Sequence, residues 1–435
     1  MKNLVSKIIT FLYKLVFQEK ISLAAKFFVK NLSCIVIGYG IAAFCIFAFQ
    51  IIGGRILGPT EYGKYVLVDS VAIFLHILMI LGFSTAAIKY IAEKDDYQEQ
   101  RKIISTSYLM VFIFSLVSIF LLLFFSFQLS KIFSISLLIF RLAIIFAFFY
   151  VLYTLATNTL RGLHQMKKLA LFRIGYGLLT LIVFGILILT KHISFLAAVF
   201  SICFAYLVIF LLITINLRQY LVLRFDKFWA NKLFRYGIYA VIGGVCLAFL
   251  PAISKILVSR YLTSADVGIY NAYYFSSIAV VVFLSTMFIT VFFPTASKYQ
   301  QKEPIFRKIK QLLPYLFLGG IPTFFGIELI ILTLYGVEYP INYSLMLLFA
   351  LTSILIAIHS LYNWLFCSEG VLGVKLVTVV FIFITLINIL LSVYLIPLFA
   401  LYGAIFSLGV AYMAGIICLL LLKKRILYYG KNSKS

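Results

Sequence analysis

Apolar runs of roughly twenty residues or more recur along the entire chain, and each must find a solvent other than water. A helix of about 20 apolar residues crosses the roughly 30 Å of bilayer hydrocarbon. Twelve runs between charged or Pro/Gly breaks meet that requirement: 33–54, 66–88, 103–127, 134–156, 169–190, 193–216, 236–260, 271–293, 309–333, 340–366, 373–396 and 399–422. They are apolar all round and far longer than the alternating segments of about 10 residues that build membrane barrels. The pattern therefore predicts helices. Composition agrees, with 64% hydrophobic and 11% charged residues against about 45–50% and about 25% in soluble domains. The expected fold class is an all-α integral membrane protein with twelve transmembrane helices.

A formal net charge of +24 raises the question of nucleic acid, and the placement of the charge answers it. If the chain starts inside, one face receives 29 Lys and Arg residues, including six lysines in the first 30 positions. The other face receives five: Arg55, Lys64, Lys131, Lys191 and Arg260. Such asymmetry follows the positive-inside rule and predicts two cytoplasmic termini. No nucleic-acid partner is expected. Residues 1–32 read as a basic amphipathic segment on the anionic leaflet, since Lys14, Lys20, Lys26 and Lys30 interrupt every apolar stretch that a cleavable leader would need. All six cysteines fall within predicted spans without metal spacing and read as packing residues.

The two halves of the chain repeat one another. Arg55-Ile56-Leu57 followed by Tyr62-Gly63 and Tyr65 returns 205 residues later as Arg260-Tyr261-Leu262 with Val267-Gly268 and Tyr270. Ala198-Val199-Phe200-Ser201 with Ala205-Tyr206 returns 206 residues later as Ala404-Ile405-Phe406-Ser407 with Ala411-Tyr412, and Gly162 and Lys167 match Gly370 and Lys375 at 208. Six helices per half is an even number, so the repeats are parallel and face each other across a central cavity. The expected organisation is a six-helix bundle over 33–216, a basic cytoplasmic linker over 217–235, a second bundle over 236–422 and a basic tail over 423–435.

Charges inside spans cost about 2.5–3.5 kcal/mol each on insertion scales, so each is a candidate for function. Arg141 lies about seven residues into its predicted span, Lys255 five residues from the outer end of the seventh, just past Pro251, and Arg173 near the inner end of the fifth. Arg55 and Arg260 close the first and seventh spans. The position 205 residues before Lys255 is Gln50, so both halves carry a polar group there. Snorkelling to the interface is the plain alternative for each cation. A cavity lined by them would select phosphate or pyrophosphate, which Arg grips in bidentate fashion. Acids are scarce: Asp69 and Glu328 lie near outer ends and Glu369 near an inner one. Asp69 and His76 are the candidates for ion or proton coupling, with a packed neutral imidazole as the alternative for His76. Glycines at 38, 40, 53, 54, 237, 243 and 244 mark places where helices can pack closely or bend. No loop exceeds about 20 residues, which leaves no room for a nucleotide fold. No catalytic residue, metal set or cofactor is expected.

The run Gly54-Arg55-Ile56-Leu57-Gly58-Pro59-Thr60-Glu61-Tyr62-Gly63-Lys64-Tyr65 resembles the polysaccharide-export family of Wzx-type O-antigen flippases, within the multidrug/oligosaccharidyl-lipid/polysaccharide exporter superfamily. The resemblance extends over length, span count and duplication, and implies a MATE-like fold in the bacterial cytoplasmic membrane. It implies translocation of undecaprenyl-diphosphate-linked oligosaccharide for O-antigen or capsule assembly, with a polysaccharide polymerase and a chain-length regulator as partners besides membrane lipids. Arg55 and Arg260 lie in the run that carries the resemblance. The second copy has Thr263-Ser264-Ala265-Asp266 where the first has Gly58-Pro59-Thr60-Glu61, so the turn is not strictly repeated. Two rivals remain: a multidrug-type cation antiporter, which needs an intramembrane acid such as Asp69, and a membrane enzyme of glycan assembly.

Overall fold

A computed structural model describes residues 23–222, 225–298, 302–368 and 371–432. Most of the basic N-terminal segment, Arg224 of the linker, Glu369, Gly370 and the last three residues of the tail lie outside the described residues. Those described are helical nearly throughout, with no strand among them. In chain order the helices are α1 (Leu23–Ile80), α2 (Phe83–Ala92), α3 (Tyr97–Phe124), α4 (Ser126–Phe133), α5 (Leu137–Gly162), α6 (Met166–Leu189), α7 (Phe195–Asn216) and α8 (Lys227–Tyr261). There follow α9 (Ser264–Tyr274), a π-helical turn (Phe275–Ala279), α10 (Val280–Lys298), α11 (Glu303–Leu318), α12 (Gly320–Tyr335), α13 (Tyr343–Cys367) and α14 (Val371–Asn432).

Among the described residues eight helices are long and apolar enough to cross a membrane, or nine if α11 and α12, bent by 45°, count as one span. The chain is a multi-pass membrane protein. Two of the eight stretches, 41 and 52 residues long, exceed any single crossing at about 1.5 Å per residue, and each contains one non-helical residue. In α1 it is Gly58, with φ 68° and ψ 168°, a conformation that only glycine adopts readily. Pro59 follows, and its missing N–H is tolerated in the first turn of the second arm. The bend of α1 therefore falls at Gly58, while the backbone runs helically through Gly53 and Gly54. In α14 it is Ala400, with φ 49°, three residues after Pro397.

The chain divides into two compact units, one of residues 41–268 and one of residues 1–40 with 269–435. In the first, α2 packs on α5 and α8, and α7 packs on α5 and α6. Its apolar cluster unites Ala156, Leu160, Leu169, Ile209, Ile213 and Leu217. Helix starts are written in the polar residues: Asp96 accepts from the N–H groups of Gln98 and Glu99, and Asp226 from those of Phe228 and Trp229, caps worth about 1 kcal/mol each. Trp229, 2% exposed, donates Nε1–H to Glu99 Oε2 at 2.9 Å. The stretch read as a linker thus holds a 3-10 turn (Arg218–Tyr220) and the first turns of α8, clamped to α3.

The turn after Gly58 and the start of α9 meet through a reciprocal contact within this unit. A Cβ on Gly63 would fall 1.8 Å from the Ser264 carbonyl oxygen, and one on Gly268 would fall 2.1 Å from the Pro59 carbonyl oxygen. Residues 59 and 264, and 63 and 268, are both 205 apart, so each glycine sits against the repeat mate of the other's partner. The second copy holds its turn with a capping box: Asp266 Oδ2 accepts from Thr263 N–H (3.0 Å) and Thr263 O–H (2.6 Å), and Asp266 N–H donates back to Thr263 Oγ1 (3.2 Å).

In the second unit α13 runs along α14. Tyr273 donates its hydroxyl to the Pro340 carbonyl at 2.6 Å and accepts from Asn342 N–H at 2.8 Å, which fixes the loop before α13. Ser277, in the π turn, hydrogen-bonds Ser353 Oγ at 2.5 Å. Glu328 on α12 is fully buried.

Candidate functional site

The second arm of α1 carries polar side chains at 62, 65, 69 and 76, spacings of three, four and seven that keep them on one helical face. Tyr62 and Tyr65 are buried, while Asp69 and His76 are half-buried. Tyr62 donates its hydroxyl to Gln50 Oε1 at 2.7 Å, and Gln50 Nε2 donates to the Tyr65 hydroxyl at 3.2 Å. The first arm of α1 is thereby tied back to the second across the Gly58 break, and the Gln50 amide is held in one orientation.

Three further helices bring aromatic and polar groups to this face. Tyr150 and Tyr153 come from α5, Arg173, Tyr176 and Thr180 from α6, and Tyr206 from α7. The Tyr176 and Tyr206 rings stack at 5.0 Å and 3°, Tyr150 stacks on Tyr206 at 5.2 Å, and Tyr153 contacts both Tyr176 and Tyr206. His76 lies against Tyr150 at 4.3 Å between ring centroids. Phe49 packs edge-on against Tyr65 and Phe184. Between these groups is a cavity of about 160 Å³ lined by Ile46, Phe49, Gln50, Tyr65, Asp69, Tyr176, Gly177, Thr180, Ile202 and Tyr206.

Of the titratable residues singled out from the sequence, the structure brings four to this cluster, Asp69 among them. Lys255 on α8, 8% exposed, lies within electrostatic range of Asp69. Arg173 acts on Tyr150 and Tyr153 in the same way, and His76 joins through Tyr150. Arg55, Arg141 and Arg260 are exposed, and the Arg260 guanidinium lies 5.9 Å from the Tyr261 ring. The tyrosines and Gln50's neighbours were not singled out. Their signal was polar residues at helical spacing, 173, 176 and 180 on α6 and 150 and 153 on α5, inside otherwise apolar runs. Among the described residues no three His, Cys, Asp or Glu side chains come together as metal ligands.

This arrangement can bind a polar, hydroxyl-bearing group between aromatic walls, with one carboxylate and one buried ammonium close together. A family described as "Polysaccharide biosynthesis protein" matches residues 28–300. The chain belongs to this family. Its fold is similar to those of solved transporters of the MOP superfamily. An inward-facing multidrug resistance MATE transporter of that superfamily superposes with TM-score 0.67 at 14% identity, covering 92% of this chain and 99% of the other. The lipid II flippase MurJ in an inward closed conformation gives 0.64 at 16%, covering 91% and 90%. A MOP superfamily transporter from Pyrococcus furiosus, described as having a binding pocket of reversed polarity, gives 0.60 at 14%, covering 95% and 97%. No curated protein matches the chain.

Proposed function

We propose that this family member is a transporter rather than an enzyme, a flippase that carries undecaprenyl-diphosphate-linked oligosaccharide across the bacterial cytoplasmic membrane. Both termini are cytoplasmic in this reading, and two six-helix bundles alternate access to a central route by rocking. The family match carries it: a polysaccharide-biosynthesis chain made of membrane helices has a lipid-linked glycan to move. The likeness in fold to a lipid II flippase supports the same substrate class.

Lys255 and Arg173 are the first groups assigned to the diphosphate, because they are cations held off the outer surface beside polar partners. Arg55, Arg141 and Arg260 are assigned to headgroup contact along the route. Asp69 and His76 are assigned to coupling, since a change in the Asp69 charge alters how much of the Lys255 charge is left for phosphate. The antiporter rival also rests on Asp69, but a carboxylate that already faces a resident ammonium is a poor trap for a cationic drug.

Transbilayer movement of labelled undecaprenyl-diphosphate oligosaccharide in proteoliposomes tests the reading. Wild type is expected to move the lipid, with Lys255→Ala and Arg173→Ala at least tenfold slower at matched insertion. If wild type moves no lipid-linked glycan with or without a proton or sodium gradient, while exporting a small organic cation, the flippase reading is abandoned for the antiporter.

A further inference from the structure

The cavity of about 160 Å³ within the 41–268 unit has the size and chemistry of a single sugar ring, and we infer that it is a subsite for one neutral monosaccharide of the transported glycan. The inference rests on the flippase reading and assigns a ligand to a part of the site that the diphosphate does not use.

Size comes first. An engineered cavity of about 150 Å³ holds one benzene ring, so a cavity of about 160 Å³ is on the order of a single six-membered ring. Sites for drug-sized ligands run to about 300–1,000 Å³. Charge then excludes the diphosphate. Among the described residues no Lys or Arg lines the cavity, whereas Asp69 does, so a phosphate placed there would meet a carboxylate at close range. An organic cation is disfavoured as well, because Asp69 already interacts with Lys255. What remains is a neutral group rich in hydroxyls.

The walls suit such a group. Phe49, Tyr65, Tyr176 and Tyr206 present ring faces and edges for the apolar C–H side of a pyranose. Asp69 is an acceptor with two oxygens, able to take two vicinal hydroxyls. The polarity of the relay also matters: Gln50 Nε2 donates to the Tyr65 oxygen, which leaves the Tyr65 proton as a donor for the cavity. Thr180 donates its own proton to the Tyr176 carbonyl at 2.9 Å, so its oxygen serves a ligand as acceptor. Acceptors at Asp69 and Thr180 and a donor at Tyr65 fix one orientation of a ring.

The test uses three probes: undecaprenyl diphosphate without sugar, with one hexose, and with a short oligosaccharide. Transport in proteoliposomes and binding to the detergent-solubilised full chain by native mass spectrometry are both read as the ratio of glycosylated to bare lipid. Ile202→Phe adds volume into an existing space, so the fold is kept, and Tyr65→Phe removes one donor with the ring retained. Thermal melting checks both variants. Wild type is expected to favour the glycosylated lipids, and each variant to reduce the ratio about tenfold, the loss of roughly 1.4 kcal/mol of ligand contact. A ratio near one in wild type, or one unchanged in both variants, overturns the subsite. Preferential binding that disappears in Ile202→Phe, without transport by wild type, would keep the subsite and remove the flippase reading. Transport without a sugar preference would do the reverse.

Discussion

Replacing Gly63 with alanine should loosen the contact between the turn after Gly58 and the start of α9. The new Cβ would lie 1.8 Å from the Ser264 carbonyl oxygen, where an ordinary contact begins at 3.4 Å, so the two backbones must separate by roughly 1.5 Å. Neither wall is a flexible side chain, so the cost falls well inside the roughly 1–3 kcal/mol typical of overpacking. At about 2 kcal/mol the packed form of this contact loses roughly thirtyfold in population, since 1.4 kcal/mol is tenfold. Gly268→Ala meets the Pro59 carbonyl oxygen at 2.1 Å and should act alike. The double variant is the sharper case: one separation of about 1.5 Å relieves both clashes, so the effects should fall well short of additive. A reporter cysteine at Val258, fully buried on α8, in a background lacking the native cysteines, would be probed in intact cells with a membrane-impermeant maleimide. Labelling should rise at least tenfold in each glycine variant and scarcely further in the double. Lower melting temperatures with no gain in labelling would refute the expectation that loosening this contact uncovers Val258. Additive effects would refute the shared separation.

Other consequences follow from the same geometry. Lys255→Met leaves Asp69 without its ammonium and should lower stability in detergent by up to about 3 kcal/mol, while adding Asp69→Asn should recover most of the loss; a double variant no more stable than the single would disprove the pairing. Trp229→Phe removes the 2.9 Å bond to Glu99 Oε2 and should cost about 1–2 kcal/mol, read by thermal melting, with Glu99→Gln adding little to it. Asp266→Ala breaks the capping box at Thr263 and should cost about 1 kcal/mol; amide exchange is expected to rise in the first turn of α9 and not in α8.

The helical membrane architecture was legible because apolar runs of about 20 residues have few alternatives in lipid. Position along a run was less informative. Arg141 counts as seven residues deep if the span starts at 134, but the helix is capped by Ser136, which leaves Arg141 in its early turns and exposed. The break in α1 was similarly displaced: Gly53 and Gly54 are compatible with a helix, and what forces the bend is the positive φ of Gly58 followed by proline. Within the site, Asp69, His76, Arg173 and Lys255 could be found from sequence because charged groups are rare in spans. The tyrosines could not, since 29 are spread along the chain and only packing shows which of them meet around Tyr206.

The repeat accounts for where that site lies. At the offset of 205 that relates Gly63 to Gly268, Tyr65 corresponds to Tyr270, Gln50 to Lys255 and Asp69 to Tyr274. One tyrosine position, Tyr65 with Tyr270, is thus shared by both copies, whereas Tyr62 stands opposite Val267, and the charges differ: the acid is present in the first copy alone, and the second has a cation where the first has an amide. Packing α8 into the 41–268 unit then brings the cation of one copy within range of the acid of the other. A lipid-linked glycan is itself divided, with an anionic diphosphate at one end and neutral rings beyond it, and a symmetric cavity would treat both ends alike. In the proposed reading, divergence of Gln50 from Lys255 and of Asp69 from Tyr274 supplies the asymmetry, with an ammonium for the phosphate next to an acceptor-rich cavity for the sugar. Exchanging the two, as Gln50→Lys with Lys255→Gln, tests this directly: transport should be lost although composition and net charge are unchanged, and retained transport would mean that the position of the cation is immaterial.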